Sequence, residues 1–346
     1  MYESFYQLTK NPFRLNSDPE FFFTSTVHSR ALDYLHYGAA QAEGFIVITG
    51  TPGLGKTMLL KILCEELEQL DNQKTIVGQL LTTQVARDDV LRLVAASFGL
   101  SHRGLTKAAL LNVLEKYFLL KVRGGKRVLL IVDEAHHLSA QSIEELRLLM
   151  NLEDQGRQLF QCFLLGQEQL RRTLQLPVLE QAKQRVIAAY NLQPLDASDT
   201  RQYIEYRLRK AGWIGNPQFK DQAFDEIYKF SKGIPRKINL VCNRALVYGY
   251  LEELNIIDGD VINMVVKELD EEIEEEAESV SNVPQNNVIN FDRAIETRLK
   301  RLESKVEMLK ERLHKEKRIL RKVLLNMDVK SKNSNDLNNS TQHSDD

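Results

Sequence analysis

Two short stretches hold the residue types that do chemistry at a fixed spacing. The first is Gly50-Thr51-Pro52-Gly53-Leu54-Gly55-Lys56-Thr57-Met58, which contains a G-x-x-x-x-G-K-T run. Glycines at these intervals let the backbone curl so that successive amides converge on an anion, and a helix starting there adds its positive end. Lys56 would reach the β- and γ-phosphates of ATP, and the Thr57 hydroxyl would ligate Mg2+. The second stretch is LLIVDEAHHL at 129–138, an apolar run ending in two acids. A phosphate site needs such a pair: Asp133 to hold Mg2+ and Glu134 to polarise the attacking water. The same letters spell D-E-A-H, a helicase signature, but no further helicase signature follows. His136 and His137 also raise the question of zinc. Adjacent histidines cannot both face one ion from a helix and no cysteine lies nearby, so zinc is not expected. Their role stays open between a structural or communicating one and plain solvent-facing polarity.

These residues need elements to position them. Five short apolar runs, 45–49, 75–81, 128–132, 159–165 and 187–192, are separated by helical patterns at 57–70, 106–118 and 140–152. Near-continuous apolar strands alternating with helices predict an α/β fold, a parallel five-stranded sheet with helices on both faces. The first strand runs into the phosphate loop, and a neighbouring strand would carry Asp133 and Glu134 to the same edge. Thr106 is a natural N-cap for its helix. The fourth strand ends in Gly166-Gln167, where Gln167 either orients the water or simply begins a helix. Arg185 opens the fifth strand, and either reaches a neighbouring subunit's γ-phosphate in a ring or is a surface arginine. After Pro194 the pattern is helical, at 199–211, 220–231 and 236–251. Gly233-Ile234-Pro235 breaks the chain before the last of these, and Arg236 would fold back onto the phosphates.

The 346 residues are 43% apolar with a formal charge of −2, enough for one large and one smaller domain without a global basic surface. Cys64, Cys162 and Cys242 are far apart in apolar runs, which predicts buried thiols in a reducing compartment rather than disulfides. No signal peptide and no membrane-length apolar run is read, so a cytoplasmic protein is expected. Eight acidic residues fall between Glu268 and Glu278, before a polar stretch with Pro284. From Ile295 to Met327, apolar residues hold nine of ten alternating four/three positions, Glu316 being the exception. That pattern predicts a coiled coil or an amphipathic helix folded back on the body. The expected organisation is an N-terminal segment packing on the nucleotide site at 1–30 and an ATPase core at 31–195. A helical lid at 196–269, an acidic linker at 270–290, a coiled coil at 291–327 and a disordered tail at 328–346 follow.

The chain resembles AAA+ ATPases of the general-secretion-pathway protein A type. The resemblance covers roughly 1–269 and rests on M-Y-E-x-F-Y…N-P-F…D-P-x-F-F at 1–22, the phosphate loop, D-E-A at 133–135, L-L-G-Q at 164–167 and G-I-P-R-K-I-N at 233–239. YGAAQAEGFIVITG, LTTQVARDDVLRLVAASFGL, FLLGQEQLRRTLQ and YRLRKAGWIGNPQF are similar to the subgroup associated with exosortase A/PEP-CTERM systems. The resemblance implies strand order 5-1-4-3-2, a helical lid, and ATP with Mg2+. It also implies Phe13, Phe21 and Phe22 near the adenine, unless they are ordinary core. The implied role is an ATPase that drives switching or assembly in an envelope secretion or exopolysaccharide system. It would be homo-oligomeric, work with protein partners, and meet the inner membrane through one of them. Thr51-Pro52 and His136-His137 depart from the family's usual residues and put the water-positioning network in doubt. The alternative is a DNA-associated, transposition-type regulator, cued by twelve Lys/Arg against six Asp/Glu in 292–322. Interspersed signs and absent aromatics favour a solvated coiled-coil surface there. A nucleotide sensor that does not hydrolyse is disfavoured by Lys56, Asp133 and Glu134.

Overall fold

Alternation along the strands builds the central layer. A computed structural model describes residues 2–16, 18–70, 74–81 and 90–281. Its main sheet contains β1 (Phe45–Thr49), β2 (Thr75–Leu81), β3 (Arg127–Asp133), β4 (Gln161–Gly166) and β5 (Val186–Asn191). All pairings are parallel, in the order β2-β3-β4-β1-β5, as the resemblance implies. Phe45, Val47, Leu130, Val132, Cys162 and Leu164 face one apolar layer, while Ile46, Ile48, Leu129, Ile131, Phe163 and Leu165 face the other. This period of two is the strand's own, and burial on both faces explains the unbroken apolar runs. The edge strands β2 and β5 are only partly buried, and their sequences hold more polar and small residues.

Helices make the crossovers that parallel strands require, and one more precedes β1. These are α1 (Thr26–Gln41), α2 (Lys56–Leu70), α3 (Val90–Ser97), α4 (Lys107–Arg123), α5 (Ala140–Leu149) and α6 (Glu168–Leu174). Caps set several starts: Ser25 accepts from the His28 amide, Thr106 from Ala109 and Ser139 from Ser142. Three elements differ from expectation. The run at 159–165 begins as a strand at Gln161, because Glu153–Asp154 and Arg157–Gln158 first form a small antiparallel hairpin. Its turn residues Gln155 and Gly156 both have positive φ, the geometry of a tight two-residue connection. The helix α1 before the first strand and the helix α3 after β2 have no counterpart in the sequence reading.

The helical lid comprises α7 (Ala197–Lys210), α8 (Asp221–Ser231) and α9 (Pro235–Leu251), followed by α10 (Gly259–Ser281). Its core also takes in the chain's beginning: Tyr2, Tyr6, Leu8, Phe13 and Phe21 pack with Ile204, Leu208, Ile238, Val241 and Leu246. Polar bonds strap this segment down, from the Tyr6 hydroxyl to the Leu254 carbonyl and from the Arg207 guanidinium to the Pro12 carbonyl. Contacts divide the chain into Met1–Asp270 and Glu271–Asp346. Residues 271–281 of the second unit are described, and they are the end of α10. The acidic run from Glu268 to Glu278 is therefore helical, in keeping with a stretch rich in glutamate and free of glycine and proline. The coiled coil expected at 291–327 and the tail at 328–346 lie outside the described residues.

Tyr6 is fully buried, at 0% exposure, in the lid core. Tyr6→Ala should cost about 3 kcal/mol or more, by analogy with large aromatic truncations. Urea unfolding of the variant beside wild type measures it. A loss below about 1 kcal/mol would mean the N-terminal strap is not part of the lid core.

Candidate functional site

At the end of β1 the chain must reverse into α2 within a few residues. Gly53 and Gly55 do this with φ of 85° and 95°, a region that disfavours side chains. A β-carbon at Gly53 would lie 2.8 Å from the Arg236 β-carbon, so the loop and the first turn of α9 are in direct contact. The Arg236 amide donates to the Gly53 carbonyl at 3.2 Å, while its side chain is exposed beside the cavity. Lys56 begins α2 and is 6% exposed. Its ammonium donates to the Gly50 and Thr51 carbonyls at 2.9 and 3.0 Å. Burial lowers the proton affinity of Lys56, and the carboxylates of Glu134 and Asp133 oppose that effect.

The Thr57 hydroxyl donates to Asp133 Oδ2 at 2.6 Å, and the Glu134 amide donates to Asp133 Oδ1 at 2.9 Å. A hydroxyl and a carboxylate side by side form the hard oxygen donor set that Mg2+ prefers, so these residues fit that ion. β3 reaches this place across β4, which lies between it and β1 as the order 5-1-4-3-2 implies, so it is not β1's immediate neighbour as the motif alone suggested. Glu134 turns the chain out of the sheet with φ 53° and ψ 35°, the left-handed region, into a single 3-10 turn at Ala135–His137. His136 Nδ1 lies 3.3 Å from Glu134 Oε2 and accepts from the Gln167 amide at 3.4 Å. Burial and the neighbouring His137 depress the pKa of His136, opposed by Glu134. One ligating atom each from Glu134, His136 and His137 lie within 4.8 Å of one another. The expectation that the two histidines cannot share an ion assumed a helix, whereas the residues occupy a tight 3-10 turn.

A cavity of about 240 Å³ opens beside the loop. Gly53 to Met58 and Glu134 form its floor, and Phe21, Phe22 and Arg236 are among its walls. Phe13 is not among its lining residues; it is 1% exposed in the lid core. Tyr203, Arg207 and Asn239 complete the cavity from the lid, and none of them was expected from the sequence. Arg207 is 5% exposed, bonded to the Tyr203 hydroxyl at 3.1 Å and placed over the Phe21 ring. The Tyr203–Arg207 spacing of four on one helix face is a signal that could have pointed to them. His28 was also missed. Its Nε2 meets the Leu54 carbonyl at 2.8 Å and its Nδ1 the Ser25 hydroxyl at 2.6 Å, tying α1 to the phosphate loop.

Gln167 stands at the start of α6, with its amide on His136. Arg185 does not come to this site. It precedes the N-terminal end of β5 and bonds Asn151 at 3.1 Å, whereas the phosphate loop follows the C-terminal end of β1. A larger cavity of about 390 Å³ sits at the N-terminal strand ends, near Thr75, Arg127 and Gln161, away from these groups.

The loop, Lys56 and the acidic end of β3 make a site of the P-loop nucleotide-binding class, and a family model described as an AAA domain matches residues 39–174. Beyond that class, the chain is 34% identical over 263 residues to general secretion pathway protein A of Aeromonas hydrophila, covering 75% of this chain and 47% of that relative. The chain thus spans about half the length of that relative, 47%. Among solved structures, the Aeropyrum pernix ORC2 protein in ADPNP-ADP complexes aligns with a TM-score of 0.53 at 16% identity, over 75% of this chain and 71% of that one. The Aeropyrum pernix ORC1 protein in complex with DNA aligns at 0.55 and 16%, over 80% and 73%. At such identities the likeness concerns the fold alone.

Lys56→Ala should abolish binding in a fluorescent-ATP titration, and retained affinity would contradict the assignment of the site. His28 gives a second prediction. Burial holds its pKa below the ordinary 6.5, so its neutral form stabilises the fold above that pH, and this contribution is lost as pH falls below it. Between pH 7 and about 5, the melting temperature of wild type should fall further than that of His28→Asn. Parallel curves would contradict a neutral, loop-bonded His28.

Proposed function

We propose that this chain hydrolyses ATP and uses the cycle to switch the lid against the phosphate loop. The observation that carries this reading is the 2.6 Å contact between Thr57 and Asp133 beside buried Lys56. Gly50 to Met58 hold the nucleotide, with Thr51 and Pro52 in the turn. Thr57 and Asp133 hold Mg2+, which when bound neutralises charge on the phosphates. Glu134 polarises the attacking water, and Gln167 helps to orient it from the end of β4. Arg236, in the helix that contacts Gly53, reports nucleotide state to the lid. Arg185 lies too far along its strand to serve its own site, so it acts as a finger on a neighbouring copy in a homo-oligomer.

The setting we infer is an envelope secretion system, with protein partners and docking at the inner membrane through one of them. Support comes from the 34% identity to a protein named for the general secretion pathway. No helix among the described residues is long and apolar enough to cross a membrane. The narrower placement in an exopolysaccharide locus of the exosortase-associated kind is supported by the sequence stretches quoted above. The basic cue for the DNA-associated alternative falls in 292–322, outside the described residues.

Glu134→Gln should keep nucleotide affinity and lose turnover by about a hundredfold or more. Wild-type turnover in that variant would remove Glu134 from the reaction. Mixing Arg185→Ala subunits with wild type should depress activity out of proportion to their share, and strictly proportional activity would rule out action between subunits.

A further inference from the structure

The 3-10 turn after Glu134 does something that an α-helix would not. It brings both histidine rings to the same side as the Glu134 carboxylate, with ring centroids 4.1 Å apart and planes inclined by 36°. We propose that Glu134, His136 and His137 form a second cation site, for a borderline transition-metal ion of the Zn2+ class. Occupancy withdraws Glu134 from the attacking water and stops turnover without displacing nucleotide. The inhibitory half of this proposal rests on the reading of Glu134 as the group that polarises water.

The distances suit such an ion. Bonds of about 2.1 Å in a tetrahedral site place neighbouring ligand atoms about 3.4 Å apart. His136 Nδ1 and Glu134 Oε2 are separated by 3.3 Å, and the third ligating atom lies within 4.8 Å of both. His136 Nδ1 is the unprotonated ring nitrogen, because the Gln167 amide donates to its lone pair at 3.4 Å. That bond is at the long limit, and a small rotation of the ring exchanges it for the cation. The Glu134 side chain is 45% exposed and His137 is exposed, which gives the ion a path in and water the fourth position.

The ligand types sort the two metals. Two imidazoles and one carboxylate favour zinc, nickel or copper over magnesium, whereas the Thr57–Asp133 pair offers oxygen alone. Glu134 and Asp133 are consecutive, so the two sites share a backbone while differing in chemistry. A cell short of free zinc would run the ATPase unhindered, and a rise in zinc would hold it with nucleotide bound.

The test is zinc binding by the full chain, measured in competition with a chromophoric chelator, for wild type, His137→Gln and Glu134→Gln. In parallel, ATP turnover in excess Mg2+ and affinity for fluorescent ATP are followed in buffered Zn2+. Wild type should bind zinc stoichiometrically, and His137→Gln should lose affinity by about tenfold or more. Zinc should suppress wild-type turnover, reversibly on chelation, with nucleotide affinity unchanged, while His137→Gln resists it. Wild-type affinity equal to that of His137→Gln would overturn the site, and full turnover by the zinc-bound protein would overturn the inhibition. Active wild type without His137-dependent zinc binding defeats this proposal and leaves the hydrolase reading intact. Conversely, His137-dependent binding together with a fully active Glu134→Gln keeps the metal site and removes both the role of Glu134 and the inhibition.

Discussion

The contact between the Thr57 hydroxyl and the Asp133 carboxylate sets the terms for the rest of the molecule. The two residues are 76 positions apart and follow strands that do not touch, since β4 separates β1 from β3. Two strand spacings amount to about 10 Å, which only the phosphate loop and the start of α2 can span. The registers must also agree. Ile48 is level with Leu165 and Val132 with Leu164, so Asp133 emerges within a residue of the place where β1 gives way to the loop. A slip in either pairing would separate the hydroxyl from the carboxylate and dissolve the oxygen pair that suits Mg2+. Double-sided burial of β1, β3 and β4 makes such a slip costly, because it would turn apolar side chains to the wrong layer.

The lid depends on this arrangement in turn. Its helix α9 rests on Gly53, so the loop proposed to receive phosphate is also the floor against which the lid sits. The N-terminal segment belongs to the lid core yet lends Phe21 and Phe22 to the cavity. Arg207 ties these parts together, since its guanidinium reaches the carbonyl of Pro12, the hydroxyl of Tyr203 and the ring of Phe21. The phosphate loop therefore has a packed route into the lid core and the N-terminal segment, through side chains rather than through a hinge alone.

Residue type and short spacing carried much of this in the sequence. The phosphate loop, Asp133 and the five strands all declare themselves within windows of a few residues, where period and composition are local properties. What stayed hidden depends on long-range meetings or on a backbone choice. Arg207 and Asn239 line the cavity only because α7 and α9 fold over a loop roughly 150 and 185 residues earlier, and nothing local to either says so. His28 reads as one isolated polar residue until Leu54 is placed against it. The His136–His137 pair is the sharpest case: helical geometry separates the rings, the left-handed turn at Glu134 unites them, and no periodic pattern distinguishes the two. The hairpin ahead of β4 was hidden by Leu159 and Phe160, which are apolar enough to be read as strand although they only lead into it.

The measurement that tests the central claim most directly is steady-state ATP turnover by the purified chain in Mg2+, over a range of protein concentration, with and without duplex DNA at physiological salt. The account predicts turnover whose specific rate rises as copies associate and is indifferent to DNA. Absence of turnover at every concentration would contradict the hydrolase itself, and strong stimulation by DNA would contradict its assignment to the cell envelope.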